Sequence, residues 1–112
     1  MRLRKQREFE VVYEEGVRIR GGTLLVVARK NGLEHPRLGI SVSKKKMKRA
    51  ADRNRFKRLV RESFRLKREK LPVGVDLIVI PHRGDSPFTL LSIQDELIDL
   101  GAQAQKQLTK KP

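Results

Sequence analysis

Residues 53–65 constrain the fold of this chain more than any other stretch, because their spacing predicts a helix with two incompatible faces. At about 100° per residue, the apolar side chains share one arc of the helix wheel: Phe56, Leu59, Val60, Ser63 and Phe64. The opposite arc is almost solidly cationic and holds Asn54, Lys57, Arg58, Arg61, Arg65 and Arg68. The apolar arc must be buried against the rest of the chain, and the cationic arc must face water or a polyanion.

Positive charge is concentrated around this predicted helix. Residues 44–70 carry 14 of the 27 basic residues but only three of the 13 acidic ones, and therefore 11 of the 14 net positive charges. A solvated helix usually alternates the sign of its charges. Here Lys57, Arg61 and Arg65 are like-charged neighbours that repel by roughly a few tenths of a kcal/mol per pair. The pattern favours binding of RNA or DNA over a solvated cationic face.

Length and composition exclude several classes of protein. At 112 residues, the chain is expected to form a single nucleic-acid-binding domain over 1–112, with one modest core. The absence of cysteine excludes disulfides, thiol catalysis and cysteine-ligated zinc. Residues 1–7 lack the apolar region of a signal peptide, and no apolar run approaches the ~20 residues that span a bilayer. We therefore expect a cytoplasmic protein with a polyanionic partner and no membrane partner.

Helical and strand patterns follow one another along the chain. The spacing predicts a helix over 8–15, strands over 17–20, 23–28 and 37–43, the basic helix over 49–70, and a fourth strand over 76–80. A loop over 82–87 follows. Ser92 is predicted to cap a last helix, which Gly101 weakens and which frays from Gln103. This order predicts an α+β sandwich on one mixed sheet, in which strands 37–43 and 76–80 can be parallel neighbours.

The strand over 37–43 predicts a second candidate surface. Its period of two places Gly39, Ser41 and Ser43 on one face, where the hydroxyls can bind a phosphate or a sugar. Lys44 and Lys45 follow directly, which favours binding. A plain exposed sheet face is the alternative.

Two aromatic residues, Phe9 and Tyr13, lie one turn apart in the first predicted helix. The chain holds only five aromatic residues, so packing in the core is the default interpretation of this pair. Stacking on nucleic-acid bases is the alternative.

Catalytic and metal sites find no support in the residue pattern. His35 and His82 fall in separate predicted loops, without partners at metal-ligand spacing. No paired carboxylates and no nucleophile–base arrangement can be argued. We therefore expect no catalytic residue and no metal ligand on this chain.

The segment 53–65, which reads Arg-Asn-Arg-x-Lys-Arg-x-x-Arg-Glu-x-Phe-Arg, resembles the signature helix of the bacterial ribonuclease P protein component. Residues 37–45 are similar to the family's strand leading into that helix, and residues 74–80 resemble the strand that follows it. Residues 3–16 resemble its opening helix, including the two aromatic residues one turn apart. The resemblance therefore extends over most of the chain.

The resemblance implies an α-β-β-β-α-β-α fold like the second domain of ribosomal protein S5. It implies a four-stranded mixed sheet with a left-handed crossover through the basic helix, against the right-handed norm. The implied function is that of the accessory subunit of ribonuclease P, which removes the 5′ leader from precursor tRNA. The active site would be made by a catalytic RNA with bound Mg²⁺, and no obligate protein partner is implied.

The same resemblance implies two sets of RNA-binding residues. The catalytic RNA would be bound by Arg53, Asn54, Arg55, Lys57, Arg58, Arg61 and Arg65. The single-stranded leader would lie in a cleft lined by Phe9, Tyr13, Ser41, Ser43, Lys44 and Lys45.

Two stretches depart from the family pattern. Val26 and Val27 stand where family members often place an aromatic residue toward the cleft, and Lys46-Met47-Lys48 replaces a smaller, glycine-containing junction.

Two alternative functions stay open. The second interpretation is a structural RNA-binding module, such as a ribosome-associated protein, and the third is a DNA-binding regulator.

Overall fold

The computed structural model describes residues 2–82 and 88–110 and shows three helices and four strands. In chain order they are α1 (Gln6–Glu15), β1 (Val17–Arg20), β2 (Leu24–Lys30), β3 (Arg37–Ile40), α2 (Ala50–Leu66), β4 (Val75–Pro81) and α3 (Leu90–Lys110). A short 3₁₀ turn, Arg68–Lys70, follows α2. The predicted order of elements is confirmed, whereas residues 83–87 of the predicted loop lie outside the described residues.

The four strands form one mixed sheet in the order β1-β2-β4-β3. β2 pairs antiparallel with both β1 and β4, and β3 pairs parallel with β4. A parallel pair needs a crossover connection, and α2 supplies it. The expected α+β fold of the S5 domain 2 type, with its mixed four-stranded sheet, is confirmed; the left-handed sense of the crossover stays a prediction.

Helices pack on both faces of the sheet, which explains the continuous apolar run of β2. Leu24, Val26 and Ala28 point to the face that α2 and α3 cover, and they pack with Leu77 and Val79 of β4 in the larger core. On the other face a smaller core lies under α1, formed by Leu3, Val12, Val27 and Ile78 with partly buried Phe9, Tyr13 and Ile80. The sheet is therefore the middle layer between α1 and the α2–α3 pair.

The outer edge of β3 is partly covered by the chain's first residues. The Leu3 backbone N–H donates to the Leu38 carbonyl at 2.9 Å, and Arg2 forms a parallel bridge to Leu38. Burial of the Leu3 side chain against α1 holds this segment in place.

Two predicted elements are shorter in the structure. β3 ends at Ile40 rather than at Ser43, because a turn over residues 44–46 begins soon after it. α2 ends at Leu66, with a 3₁₀ turn in place of the predicted last helical turn. The buried side of α2 is as predicted, with Phe56, Val60, Ser63 and Phe64 buried and Leu59 partly buried against the same core.

The prediction for the last helix is wrong at both ends. Thr89, not Ser92, precedes the helix: the Thr89 side chain accepts from the Ser92 N–H and the Ser92 side chain accepts from the Thr89 N–H, both at 3.1 Å. This reciprocal pair is a capping-box arrangement. The helix runs to Lys110 instead of fraying from Gln103, since Ala104 and Leu108 continue its buried stripe.

Gly101 supports the packing of α3 instead of weakening the helix. A Cβ atom at this position would lie 3.2 Å from the Pro72 Cδ and 3.5 Å from the Leu71 Cδ2. The missing side chain lets the 71–72 segment approach α3 closely, and the helix continues through this position despite the intrinsic penalty of a helical glycine, about 1 kcal/mol.

Candidate nucleic-acid interface

A strip of exposed polar and cationic side chains runs along the outer side of α2. The strip consists of Asn54, Arg58, Arg61 and Arg65, and at about 100° per residue these four fall within an arc of about 60°. All four are exposed, and half-buried Lys57 borders them. We call this surface the basic strip. It presents three guanidinium groups and one amide along one line.

One member of the basic strip has an acidic partner on the same helix. Arg65 forms an ion pair with Glu62, one turn earlier, and its Nε also donates to Glu62 Oε2 at 3.3 Å. This pair lowers the pKa of Glu62 and raises the pKa of Arg65. In the described part of the chain no carboxylate forms an ion pair with Arg58 or Arg61. Their charge is therefore uncompensated by the fold.

Arg53 and Arg55, predicted to bind the catalytic RNA, turn toward the protein's own backbone. The Arg53 guanidinium donates to the carbonyls of Met47 and Lys48 at 2.8 and 2.9 Å. The Arg55 guanidinium donates to the Phe88 carbonyl at 2.8 Å. These contacts tie the start of α2 to the preceding turn and to the start of α3. The predicted set of seven is thus divided between an outward strip and two arginines that also hold the fold.

α2 is fixed in orientation by its buried side. The Phe56 and Phe88 rings pack edge to face, with centroids 4.9 Å apart and planes at 70°. Ser63 is fully buried and donates its hydroxyl to the Leu59 carbonyl at 2.8 Å, so its presence among apolar residues leaves no unpaired donor. Rigid packing on this side keeps the basic strip in one position on the outside.

A second surface lies on the α1 side of the sheet. The register places Arg20, Leu25 and Ile80 side by side across β1, β2 and β4. Ser41 continues the row, because its N–H donates to the Val79 carbonyl at 3.1 Å beyond the end of β3. Leu25, Ile80 and Ser41 are half-buried and Arg20 is exposed, so this row is only partly covered. We call these four residues the open row.

The two aromatic residues of α1 border the covered part of the same face. Phe9 and Tyr13 are both half-buried and pack against the core beneath α1. The Phe9 ring lies so close to Gly39 that a Cβ atom there would be 2.8 Å from it. The Arg18 guanidinium lies 5.8 Å from the centre of the Tyr13 ring. Each aromatic residue therefore packs in the core and also keeps an accessible portion.

The turn after β3 presents two of the predicted lysines. Lys44 and Lys45 are exposed, and Ser43 stabilises the turn by accepting the Lys46 N–H at 3.2 Å. Lys46 is held differently, because its Nζ donates to the His82 carbonyl at 3.0 Å. Ser43 therefore has a structural role in the turn, next to its predicted role in leader binding.

The structure also locates the two valines that depart from the family pattern. Val27 lies on the α1 side and is fully buried beneath that helix, whereas Val26 points to the opposite face. Only Val27 therefore lies on the side of the predicted cleft.

Two acidic side chains, Glu8 of α1 and Asp76 of β4, form ion pairs that stabilise the fold. Asp76, 1% exposed, accepts from Arg37 through both carboxylate oxygens at 2.8 Å and from Asn31 Nδ2 at 2.9 Å. Arg37 also donates to Glu8 at 2.9 Å. Hydrogen bonds from the Lys5 and Arg4 N–H groups, helped by the Arg37 charge, lower the pKa of Glu8. In residues 2–82 and 88–110, no three carboxylate or imidazole side chains gather at a possible metal position.

Sequence reasoning missed several residues of the α1-side surface. Arg18, Arg20, Leu25 and Ile80 share this face with the predicted Ser41, but they come from three different strands. Their alternation with buried neighbours was readable from the sequence; the strand order that brings them together was not.

A basic α+β domain of the S5 domain 2 type, with cationic side chains on the outer side of α2 and on the α1-side face of the sheet, is the class that this fold and these surfaces define. The family model described as Ribonuclease P matches residues 1–105. This chain belongs to the ribonuclease P protein-component family, whose members are part of a tRNA-processing enzyme. Within the described ranges, none of the helices has the length and apolar character required to cross a bilayer.

Similar proteins agree with this assignment. The ribonuclease P protein component of Haemophilus influenzae (strain PittGG) is 48% identical over 84 residues, which cover 75% of this chain and 70% of the relative. The RNase P protein from Thermotoga maritima is 34% identical and superposes with a TM-score of 0.83, covering 92% of this chain and 96% of that one. The Staphylococcus aureus RNase P protein gives 33% identity and a TM-score of 0.79, with 93% and 94% covered.

Proposed function

We propose that this chain is the RNA-binding accessory subunit of ribonuclease P and bridges two RNAs. The basic strip on α2 docks on the catalytic RNA, and the α1-side surface holds the 5′ leader of precursor tRNA. The observation that carries the proposal is the placement of cationic side chains on two separate surfaces: the basic strip on the outer side of α2, and Arg18 and Arg20 on the α1-side face of the sheet. Such a subunit acts where precursor tRNA is made, in the bacterial cytoplasm.

The physical role of the protein is electrostatic and positional. The leader and the catalytic RNA are both polyanions, so bringing them together is opposed by Coulomb repulsion. Arg58 and Arg61 carry charge that no described carboxylate neutralises, and this charge is available to RNA phosphates. If about five to seven phosphates are neutralised in total, log K against log[salt] should have a slope of about −3.5 to −6.

The open row fits a single strand better than a duplex. Leu25 and Ile80 offer a half-buried apolar floor, the Ser41 hydroxyl can bond a sugar or phosphate, and Arg20 adds charge at one end. Unstacked bases can lie on such a floor or on an accessible aromatic ring, with little dependence on sequence. This chemistry suits leaders of varied sequence.

We assign the catalytic groups and the Mg²⁺ of the reaction to the RNA. Among the described residues no three carboxylate or imidazole side chains gather at a possible metal position, and Asp76 and Glu8 are held by Arg37. Mg²⁺ prefers near-octahedral oxygen ligands and is commonly bound together with phosphate groups. The protein's own task is to bind and position two RNA strands.

Reconstitution tests the proposal directly. The protein is mixed with a bacterial ribonuclease P RNA from the same source and a 5′-labelled precursor tRNA at low-millimolar Mg²⁺, with protein-free and RNA-free controls. We expect correct 5′ cleavage at this Mg²⁺ concentration only when both components are present. Binding without stimulated cleavage would leave a structural RNA-binding module, and turnover by the protein alone would overturn the assignment of catalysis to RNA.

The leader-binding half is tested by comparing precursor with leaderless tRNA in the reconstituted complex. We expect tighter binding of the precursor, and Tyr13→Ala should reduce only that affinity, by about 1–3 kcal/mol if the ring stacks on a base. Tyr13→Phe keeps the ring and serves as the matched control. An equal loss for both tRNAs, or a loss of folding stability large enough to explain the result, would assign Tyr13 to core packing.

A further inference from the structure

The basic strip adjoins a cleft of about 270 Å³ between the outer side of α2 and the edge of β3. Its lining combines four arginines with two apolar side chains: Arg2, Leu38, Arg61, Phe64, Arg65 and Arg68. We call it the arginine pocket. Arg61 and Arg65 belong to the basic strip, whereas Arg2 and Arg68 lie outside the signature segment 53–65.

We propose that the arginine pocket takes one unpaired nucleotide of the bound RNA, with its base against the apolar floor and its phosphate on the guanidinium groups. This inference rests on the proposed function, because it names the RNA feature that the basic strip would meet. A duplex backbone needs only a convex line of charges, which the strip already provides. A concave site with an apolar floor requires a group that can enter it.

The size and composition of the cleft select the ligand. A volume of about 270 Å³ is at the lower end of ligand-binding cavities, so it suits a single ring system and not a strand. Leu38 and Phe64 are almost completely buried, and the small parts of them that line the cleft form its apolar floor. Guanidinium groups can stack on a base and grip its phosphate bidentately. The combination matches a splayed nucleotide better than a free inorganic anion.

Both added arginines are attached to fixed backbone. Arg2 forms the bridge to Leu38, and the next residue, Leu3, is buried and bonded to the same strand. Arg68 begins the 3₁₀ turn, whose following residue, Leu71, is buried and donates its N–H to the Arg68 carbonyl at 3.2 Å. Because the backbone at both residues is already held in place, less conformational entropy is lost when a ligand binds.

Binding of a single nucleotide can be observed on the full chain without catalytic RNA. AMP is titrated while the Phe64 ring protons and the arginine Nε–H signals are followed by NMR, with inorganic phosphate at equal ionic strength as the reference. We expect AMP to shift Phe64 together with Arg2 and Arg68, and phosphate to shift guanidinium signals alone. Identical responses to AMP and phosphate, or no response at Phe64, would overturn the nucleotide assignment.

The second measurement uses the complex with catalytic RNA. We expect Arg2→Ala with Arg68→Ala to weaken RNA binding at least tenfold, which is about 1.4 kcal/mol. Arg68→Lys keeps the charge but lacks the planar fork, and it should still lose about threefold. Arg7→Ala, which removes an exposed arginine of α1 outside the pocket, is the matched control and should change affinity less than twofold.

The outcomes separate this inference from the proposed function. If wild type and Arg7→Ala bind the catalytic RNA and the double variant binds equally well, the pocket is wrong and the accessory-subunit function stands. If wild type itself fails to bind the catalytic RNA, the proposed function fails and this inference falls with it. If Arg68→Lys keeps full affinity, positive charge alone explains the contribution of this position, and the proposed nucleotide pocket is wrong.

Discussion

Arginine performs opposite tasks in two regions of this molecule. Arg37 lies inside a network of carboxylates, bonded to Asp76 and Glu8 at 2.8 to 2.9 Å, and these partners raise its pKa further. Arg58 and Arg61, on the outer side of α2, form no ion pair with any carboxylate of the described residues. The same side chain stabilises the fold in one place and keeps an uncompensated positive charge at the surface in the other, where the proposed function uses it to bind RNA.

Burial of the partner decides between the two tasks. Asp76 is 1% exposed, so its charge must be compensated within the protein. The Glu62 side chain is 42% exposed, so its pair with Arg65 is screened by water and salt. The comparison predicts that changes in the network alter the free energy of unfolding, whereas changes in the strip alter RNA affinity.

The largest expected effect is that of Asp76→Ala. It leaves the guanidinium of Arg37, only 24% exposed, without its buried partner, and it should lower the free energy of unfolding by about 3 kcal/mol. Urea unfolding without RNA measures this loss. Glu62→Ala is the control and should leave the free energy of unfolding close to the wild-type value, because solvent screens its ion pair. Similar losses for the two variants would erase the distinction between the regions.

The double change Arg58→Ala and Arg61→Ala should have the converse effect. We expect about a thirtyfold loss of affinity for the catalytic RNA, or ~2 kcal/mol, because two charge-assisted contacts are removed. The slope of log K against log[salt] should become shallower by about two. The unfolding free energy should stay constant or rise slightly, since like charges are removed. Unchanged RNA affinity would remove the basic strip from the interface.

Arg55→Ala should have an effect on folding stability that is smaller than that of Asp76→Ala and larger than that of the change at Arg58 and Arg61. Loss of its bond to the Phe88 carbonyl is expected to lower the free energy of unfolding by about 1 kcal/mol, whether or not RNA affinity also falls. Thermal or urea unfolding of the variant, compared with Arg58→Ala, isolates this structural part. Equal stability of the two variants would show that the Phe88 contact contributes nothing to the fold.

The smallest expected effect is a change in how the free energy of unfolding depends on pH. The folded state lowers the pKa of Glu8, so this group adds stability above its unfolded pKa of about 4.3, and the contribution is lost as pH falls through the lower folded value. Urea unfolding between pH 6 and about 3 should therefore show a smaller decrease in the free energy of unfolding for Glu8→Gln than for the wild type. A wild-type and variant difference that is constant over this range would assign the role of Glu8 to hydrogen bonding alone.

The sequence predicted one region of the site much better than the other. Periodicity alone identified the buried side of α2 and therefore the direction of Arg58, Arg61 and Asn54, because a helix carries its own register. It did not reveal that Arg53 and Arg55 bond to backbone carbonyls. The Phe88 carbonyl is 33 residues away along the chain and reaches Arg55 only through tertiary packing.

The α1-side surface and the last helix show the same limit. Arg20 and Ser41 share a face only because the strand order is β1-β2-β4-β3, and no local pattern encodes that order. Gly101 was misjudged because its intrinsic helix penalty is local, whereas its close contact with Pro72 is tertiary. Propensity therefore predicted the elements, and tertiary packing determined where some of them ended.

The short pairing of Leu3 with the edge of β3 has a consequence for the resistance of the RNA-free protein to aggregation. An unpaired strand edge is a template for intermolecular pairing and aggregation. Arg2 and Leu3 occupy part of one edge, and exposed Arg18 and Arg20 place like charges along β1 at the other. Edge-to-edge pairing of two copies is therefore opposed by occupied hydrogen-bonding groups at one side of the sheet and by charge repulsion at the other.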